Sequence, residues 1–189
     1  MTRTILEVYP DSGIAAVVIC GTGWQPRAIL PGAIGICQMA CKKVGEKNPS
    51  ETLQNMVFGG YNKRVEHPRT EWLTRDEEIV DAYIAHPSCG FTATTGLLRD
   101  MLTGIRFIEQ KQNLAKMDKN LPVLFIAGED DPVGNYGKGV RKAAEEFQKA
   151  GMKDVTCHLF PKGRHEILNE TNRREVFDFT ADWLKKKLK

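Results

Sequence analysis

The sequence predicts an α/β fold of about three parallel strands with flanking helices and a mostly helical insertion. Three observations carry this. Apolar runs without polar alternation occur at "IAAVVICGTG", "VLFIAGE" and "VTCHLF", the texture of strands covered on both faces of a parallel sheet. After "MDKNLP" the chain alternates strand, helix, strand, helix, the rhythm of βαβ units. From Trp24 to about Phe107 that rhythm dissolves into amphipathic pieces broken by "EKNPSE", "FGGYNKR", "EHPRTEW" and "HPSCGF", which places an insertion between the first strand and the second.

Each element has its own warrant. Residues Thr2 to Tyr9 carry Ile5, Leu6, Val8 and Tyr9 before the "YPDSG" turn and are expected to form the last turns of a helix. "IAAVVICGTG" follows as the first strand, closed by glycines. Within the insertion, "TRDEEIVDAYIAH" sets Thr74 three residues before Glu77, a capping-box pattern, with Ile79, Val80, Tyr83 and Ile84 on one stripe. "TGLLRDMLTGIRFIEQ" reads as a second such helix. "GVRKAAEEFQKAGMKD" turns Val140, Ala143, Ala144 and Phe147 inward and ends at Gly151 as its C-cap. The final helix has Asn172 and Glu175 at N-cap and N3, then Val176, Phe179, Trp183 and Leu184 as its apolar face. The expected organisation is residues 1–23 as the start of the core, 24–107 as the insertion and 108–189 as the C-terminal core.

Composition narrows the functional classes. With 189 residues, 41% hydrophobic and 27% charged, the chain has the balance of one globular domain. A net charge of +3 is too small to imply a nucleic-acid or anionic-membrane partner, and the terminal "KKKLK" reads as a solvated helix end. The five cysteines, at 20, 37, 41, 89 and 157, form no CxxC pair and read as free thiols of a reducing compartment. "MTRTILEVYPDSG" lacks the apolar core of a signal peptide, and no run is long enough for a membrane span. A cytoplasmic location without stable membrane insertion is therefore expected.

Reactive side chains of open parallel sheets lie in the loops past the strand C-termini. Two such loops are rich in chemistry: "VLFIAGE" empties into "DDPVGNYG", and "VTCHLF" into "PKGRHEIL". Asp131 and His165, in that order, match the last two members of a hydroxyl-nucleophile triad, in which an acid fixes the tautomer of an imidazole that takes the proton. Each alone is ordinary loop chemistry, and the pair at adjacent strand ends is the signal. Competing motifs fail on spacing. "HEILN" starts like a zinc HExxH but has Asn169 where the second histidine belongs, and "GNYGKG" puts Pro132 and Gly139 where a phosphate loop needs Gly and Ser or Thr. No metal and no cofactor is expected.

The segments "GYNKR", "EWLTRDEEIVDAYIAHPSCGF", "LPVLFIAGEDDPVGNYGKGV" and "LFPKGRHEILNE" resemble the lysophospholipase or monoacylglycerol-lipase-like branch of the α/β-hydrolases, the serine aminopeptidase S33 group, over nearly the whole chain. The resemblance implies the C-terminal part of an α/β-hydrolase fold, with Asp131 as the triad acid, Asp130 as its solvated neighbour and His165 as the base. It implies that the insertion is a cap shaping an acyl pocket. The implied activity is hydrolysis of carboxylic esters of lipid-like alcohols.

One part of the family pattern is absent. No GxSxG elbow occurs, and Ser12, Ser50 and Ser88 all read as turn or loop residues. Cys89 lies in the insertion, off any strand-to-helix turn, and reads as a pocket or buried thiol. The expectation is that the chain begins inside the helix that follows the elbow, with the nucleophile and the oxyanion hole upstream, so that these 189 residues alone are inactive. The strand near Val17–Cys20 would then expose an apolar edge, through which the chain self-associates or takes an N-terminal partner. The alternative is a non-catalytic hydrolase-fold protein that binds an acyl ligand or a partner through its cap.

Overall fold

A computed structural model describes residues 1–64 and 72–188. Helix α1 (Thr2–Val8) leads to strand β1 (Val17–Cys20), after which come helices α2 (Leu30–Val44), α3 (Glu51–Phe58), α4 (Glu77–Ala85), α5 (Thr95–Ile108) and the short α6 (Lys111–Leu114). The chain then returns to the sheet as β2 (Val123–Gly128), α7 (Lys138–Lys149), β3 (Val155–Phe160) and α8 (Arg173–Lys187). Single 3₁₀ turns occupy Tyr61–Arg64 and Ile167–Asn169. The connection expected at "EHPRTEW" lies largely outside the described residues. None of the described helices is long and apolar enough to cross a membrane.

The described sheet has three parallel strands in the order β1-β2-β3, with Val17 opposite Val123 and Val123 opposite Val155. β2 is central, and all six of its residues are buried. Side chains alternate across it as the pleat requires. Val123, Phe125 and Ala127 join Leu6, Val140 and Phe147 on one face, while Leu124 and Ile126 join Phe160, Ile167, Val176 and Trp183 on the other. The predicted inward faces of α7 and α8 are the ones that form these layers. Phe125 and Phe147 meet edge to face at 5.0 Å between ring centres, at the heart of the first. A separate apolar cluster knits the insertion, with Leu30, Cys37, Leu53, Ala93, Leu98 and Leu102 drawn from α2, α3, α5 and the turn before α5.

Four local expectations differ from the structure. β1 is not covered on both faces: Val17 and Ile19 are buried, Val18 is half-buried and Cys20 is exposed, because β1 is an outer strand of the described sheet. α4 is capped by Asp76, whose carboxylate accepts from the Ile79 N–H, and not by Thr74. The Thr74 hydroxyl instead accepts from the Asp76 N–H at 3.1 Å and donates to the Asn169 carbonyl at 2.9 Å. Ile84 stays half in solvent while Val80 is buried, so the apolar stripe of α4 is narrower than expected. α7 has Ala150 as its C-cap, and Gly151 follows it at φ +96°.

Candidate active site

The two chemistry-bearing loops meet through their backbones. The Glu129 N–H donates to the Phe160 carbonyl at 3.0 Å and the Asp130 N–H to the Gly163 carbonyl at 2.8 Å. This closeness needs glycine on both sides: a Cβ on Gly128 would stand 1.9 Å from the Gly163 carbonyl oxygen, and one on Gly163 would stand 2.4 Å from the Ile167 side chain. The geometry delivers Asp131 and His165 to each other. His165 Nδ1 lies 3.1 Å from Asp131 Oδ2.

Asp131 is fully buried and doubly engaged. Its second carboxylate oxygen accepts from the Val133 N–H at 2.8 Å, an Asx turn made by the "DDPV" sequence, and its backbone carbonyl accepts from the Tyr136 N–H at 2.8 Å. Consecutive left-handed residues at Asn135, Tyr136 and Gly137 (φ +49°, +54° and +79°) then swing the chain into α7. A Cβ at Gly134 would press to 3.4 Å of the acid's outer oxygen. That outer oxygen is left to hold Nδ1 of the imidazole.

His165 is held from three directions. Its backbone N–H donates to the Trp72 carbonyl at 3.3 Å, and the next N–H, of Glu166, to Leu73 at 2.7 Å. The Trp72 ring lies 5.5 Å from the imidazole, centre to centre. Gly21, at the end of β1 with φ +62°, lets the backbone approach so closely that a Cβ there would sit 3.2 Å from His165 Cε1. Below the loop, Glu170 is fully buried and accepts from the Arg164 N–H at 2.8 Å and from Arg75 Nε at 2.8 Å. Arg75 also donates to Asn172 Oδ1 at 2.9 Å. Asn172 is the N-cap of α8 by position, but its side chain bonds the Glu175 carboxylate and caps no backbone N–H.

His165 borders a cleft of about 940 Å³ whose walls include Ile29, Ile36, Leu53, Met56, Phe58 and Ile105 from the insertion. It also borders a smaller one of about 330 Å³, with Cys20, Gly21 and Asn169, at the C-terminal end of β1. With Nδ1 on the acid, Nε2 has no hydrogen-bond partner among the described residues and is the nitrogen able to accept a proton. The arrangement can deprotonate a hydroxyl.

No serine reaches it. Ser50 caps α3 by accepting from the Leu53 N–H, Ser12 lies in the turn after α1, and Ser88 lies beside His86; none lines either cleft with His165. The cysteine on the wall of the large cleft is Cys37, buried within α2. Cys89 Sγ is 3.8 Å from His86 Nδ1 and lines neither cleft, and Cys20, at the exposed end of β1, borders only the smaller one. Tyr61, on the wall of the large cleft, has its hydroxyl raised by burial and then by the Asp131 charge. Among the described residues no group of three or more His, Cys, Asp or Glu side chains could hold a metal ion.

Sequence reasoning placed Asp131 and His165 and missed their supports. Gly21, Gly128 and Gly163 could have been suspected as glycines at strand ends. Trp72 and Arg75 carry no local signal, since each acts across more than 90 residues of chain, and Glu170 joins its distant bond to Arg75 with a local one to the Arg164 N–H.

A parallel sheet with an acid and an imidazole joined at adjacent strand ends defines an α/β-hydrolase. The chain belongs to the serine aminopeptidase S33 family, whose model matches residues 2–172. Among solved structures it is similar to a highly thermostable carboxyl esterase from Bacillus coagulans (TM-score 0.85, 22% identity, 99% of this chain and 62% of that one). It is also similar to a lipase in an open form (TM-score 0.72, 26% identity, 95% of this chain and 58% of that one). A monoglyceride lipase of Saccharomyces cerevisiae gives a TM-score of 0.65 at 17% identity, over 98% of this chain and 62% of that one. The chain therefore spans about three fifths of the length of these relatives. A search of curated proteins returns no match.

Proposed function

We propose that this chain carries the acid and the base of a serine hydrolase acting on carboxylic esters of lipid-like substrates, of lysophospholipase or monoacylglycerol lipase type. The observation that carries the reading is the contact between His165 Nδ1 and the fully buried Asp131, with the imidazole bordering an apolar cleft large enough for an acyl chain. In the proposed reaction a serine hydroxyl gives its proton to His165 Nε2 while its oxygen attacks the ester carbonyl. The tetrahedral adduct collapses as the imidazolium returns that proton to the leaving alcohol. Water, activated by the same imidazole, then splits the acyl-serine. Asp131 orients the ring and balances its positive charge.

The serine itself is proposed to come from polypeptide outside these 189 residues, on a segment pairing in parallel with the outer edge of β1. Two features support this. β1 is an outer strand with Cys20 exposed at its end, and the smaller cleft opens there beside His165. Ile5, Val8 and Tyr9 of the α1 region also stand in solvent, an apolar face suited to being covered. The helical insertion is read as the cap over the acyl cleft. A reducing, cytoplasmic setting agrees with five free thiols.

The test is intact mass of the protein from its native source, combined with labelling by a fluorophosphonate probe. A species heavier than 21.2 kDa that labels, with labelling lost in His165→Ala and slowed on the order of 10⁴-fold in Asp131→Asn, is expected. A mass matching the 189 residues and no label refutes the hydrolase reading. The second reading, a non-catalytic protein binding an acyl ligand or partner through its cap, has one observation in its favour: no serine of the chain lines a cleft with His165.

A further inference from the structure

Among the described residues, the lysines and carboxylates on the wall of the large cleft are of one sign. Among the described residues that line it there is no aspartate or glutamate, while Lys138 and Lys142 both do, in company with Asn135 and Gln25. The two lysines differ in kind. Lys142 is matched by Glu145 at 3.1 Å and Glu146 at 3.0 Å, and Glu146 is also 3.8 Å from Arg27. Lys138 is exposed and has no ion-pair partner among the described residues.

Its position makes this more telling. Lys138 opens α7, and the first turn of that helix holds no acidic residue. The N-terminal turn carries the positive end of the backbone dipoles, where a cation is disfavoured and an anion welcomed. A basic side chain placed against that rule, unneutralised and facing a reaction cleft, departs from local preference in the way functional positions do. Most of the remaining wall is aliphatic or aromatic, and the insertion supplies the greater part of it. The cleft thus offers an apolar wall and a cationic group within one cavity.

We propose that Lys138 is a specificity-determining residue, and that the substrate is an amphiphilic ester whose apolar chain lies along the insertion and whose polar part bears an anion, a phosphate or a carboxylate, at Lys138. This rests on the hydrolase reading and narrows it from lipid-like esters in general to negatively charged ones. Lys142, already neutralised by Glu145 and Glu146, contributes little net attraction.

The test measures binding to the full chain and needs no turnover. Tryptophan fluorescence reports it, since Trp24 and Trp72 both line the cleft. The probes are dodecyl phosphate, dodecanoate and uncharged 1-O-dodecyl glycerol, each below its aggregation threshold, against the wild type, Lys138→Gln and the remote surface control Lys153→Gln. At least one anion is expected to bind about fivefold more tightly than the neutral probe. That margin should shrink with added salt, vanish in Lys138→Gln and persist in Lys153→Gln. The tighter of the two anions identifies the headgroup chemistry. Equal affinity for all three probes, an anion preference that survives Lys138→Gln, or no binding at all overturns the assignment. The hydrolase reading is decided separately by fluorophosphonate labelling, so the two can fail independently.

Discussion

Gly128→Ala is the sharpest perturbation of the geometry that joins acid and base. The added methyl would stand 1.9 Å from the Gly163 carbonyl oxygen and 2.5 Å from that of Arg164. An ordinary contact needs about 3.4 Å, so one of two backbones must retreat by over an ångström, and neither is a flexible side-chain end. The retreat would also stretch the bond from the Asp130 N–H to that same Gly163 carbonyl, now 2.8 Å. Overpacking of this kind costs about 3 kcal/mol or more, which lowers Tm by roughly 6–12 °C in a chain of this size. Gly104→Ala is the counterpart: it lies in α5 with nothing within 4 Å of its Cβ position, so the same methyl should stabilise by about 0.5–1 kcal/mol through helix propensity. Thermal unfolding followed by circular dichroism reads both. The two variants should move in opposite directions. A Gly128→Ala protein melting within about 2 °C of the wild type would mean that the loops bearing Asp131 and His165 are not locked together and that the pair is not preset by them.

Buried charges govern stability at two other places. Glu170→Ala removes the acceptor of both Arg75 and the Arg164 N–H; because the Arg75 side chain is 28% exposed and rehydrates in part, the loss should be about 2–3 kcal/mol, seen as a lower urea midpoint with unchanged slope. Unchanged stability would refute the view that this pair anchors the histidine loop. Glu7 is buried under α1 with both carboxylate oxygens unpartnered, and burial raises its carboxyl to about 7, only partly offset by Arg3 and Lys116. Between the ordinary carboxyl range and pH 7 the folded state holds a proton that the unfolded state has released, so stability should fall as pH rises through that window and level off above it. Glu7→Gln should flatten the profile and raise stability at about pH 8 by on the order of 2 kcal/mol. A wild-type stability that rises from about pH 5 to 7, or a variant with the same slope, would show that Glu7 is ionised when folded.

Periodicity made the sheet and its covering helices legible. β2, α7 and α8 bury the residues their sequences mark as apolar, because burial is what the pattern encodes. Asp131 and His165 were legible because strand ends in a parallel sheet converge and the acid precedes a proline in an Asx turn. What escaped depends on contacts between distant segments. Thr74 looks like a helix cap by spacing, yet the Asn169 carbonyl recruits its hydroxyl and Asp76 caps the helix instead. Strand β1 reads as fully covered from its composition, while its coverage depends on which strand lies beside it. Lys138 is one of many lysines until the cleft groups it with apolar walls.

His165 takes its coordinates from the insertion as well as from the sheet. The backbone N–H groups of His165 and Glu166 end on Trp72 and Leu73, and Arg75 clamps the loop from below through Glu170. A variant that exchanged this insertion for another would bring new pocket walls and, through the same two carbonyls, a new resting place for the imidazole. In this fold, the shape of the cleft and the resting place of the imidazole are inherited as a single trait.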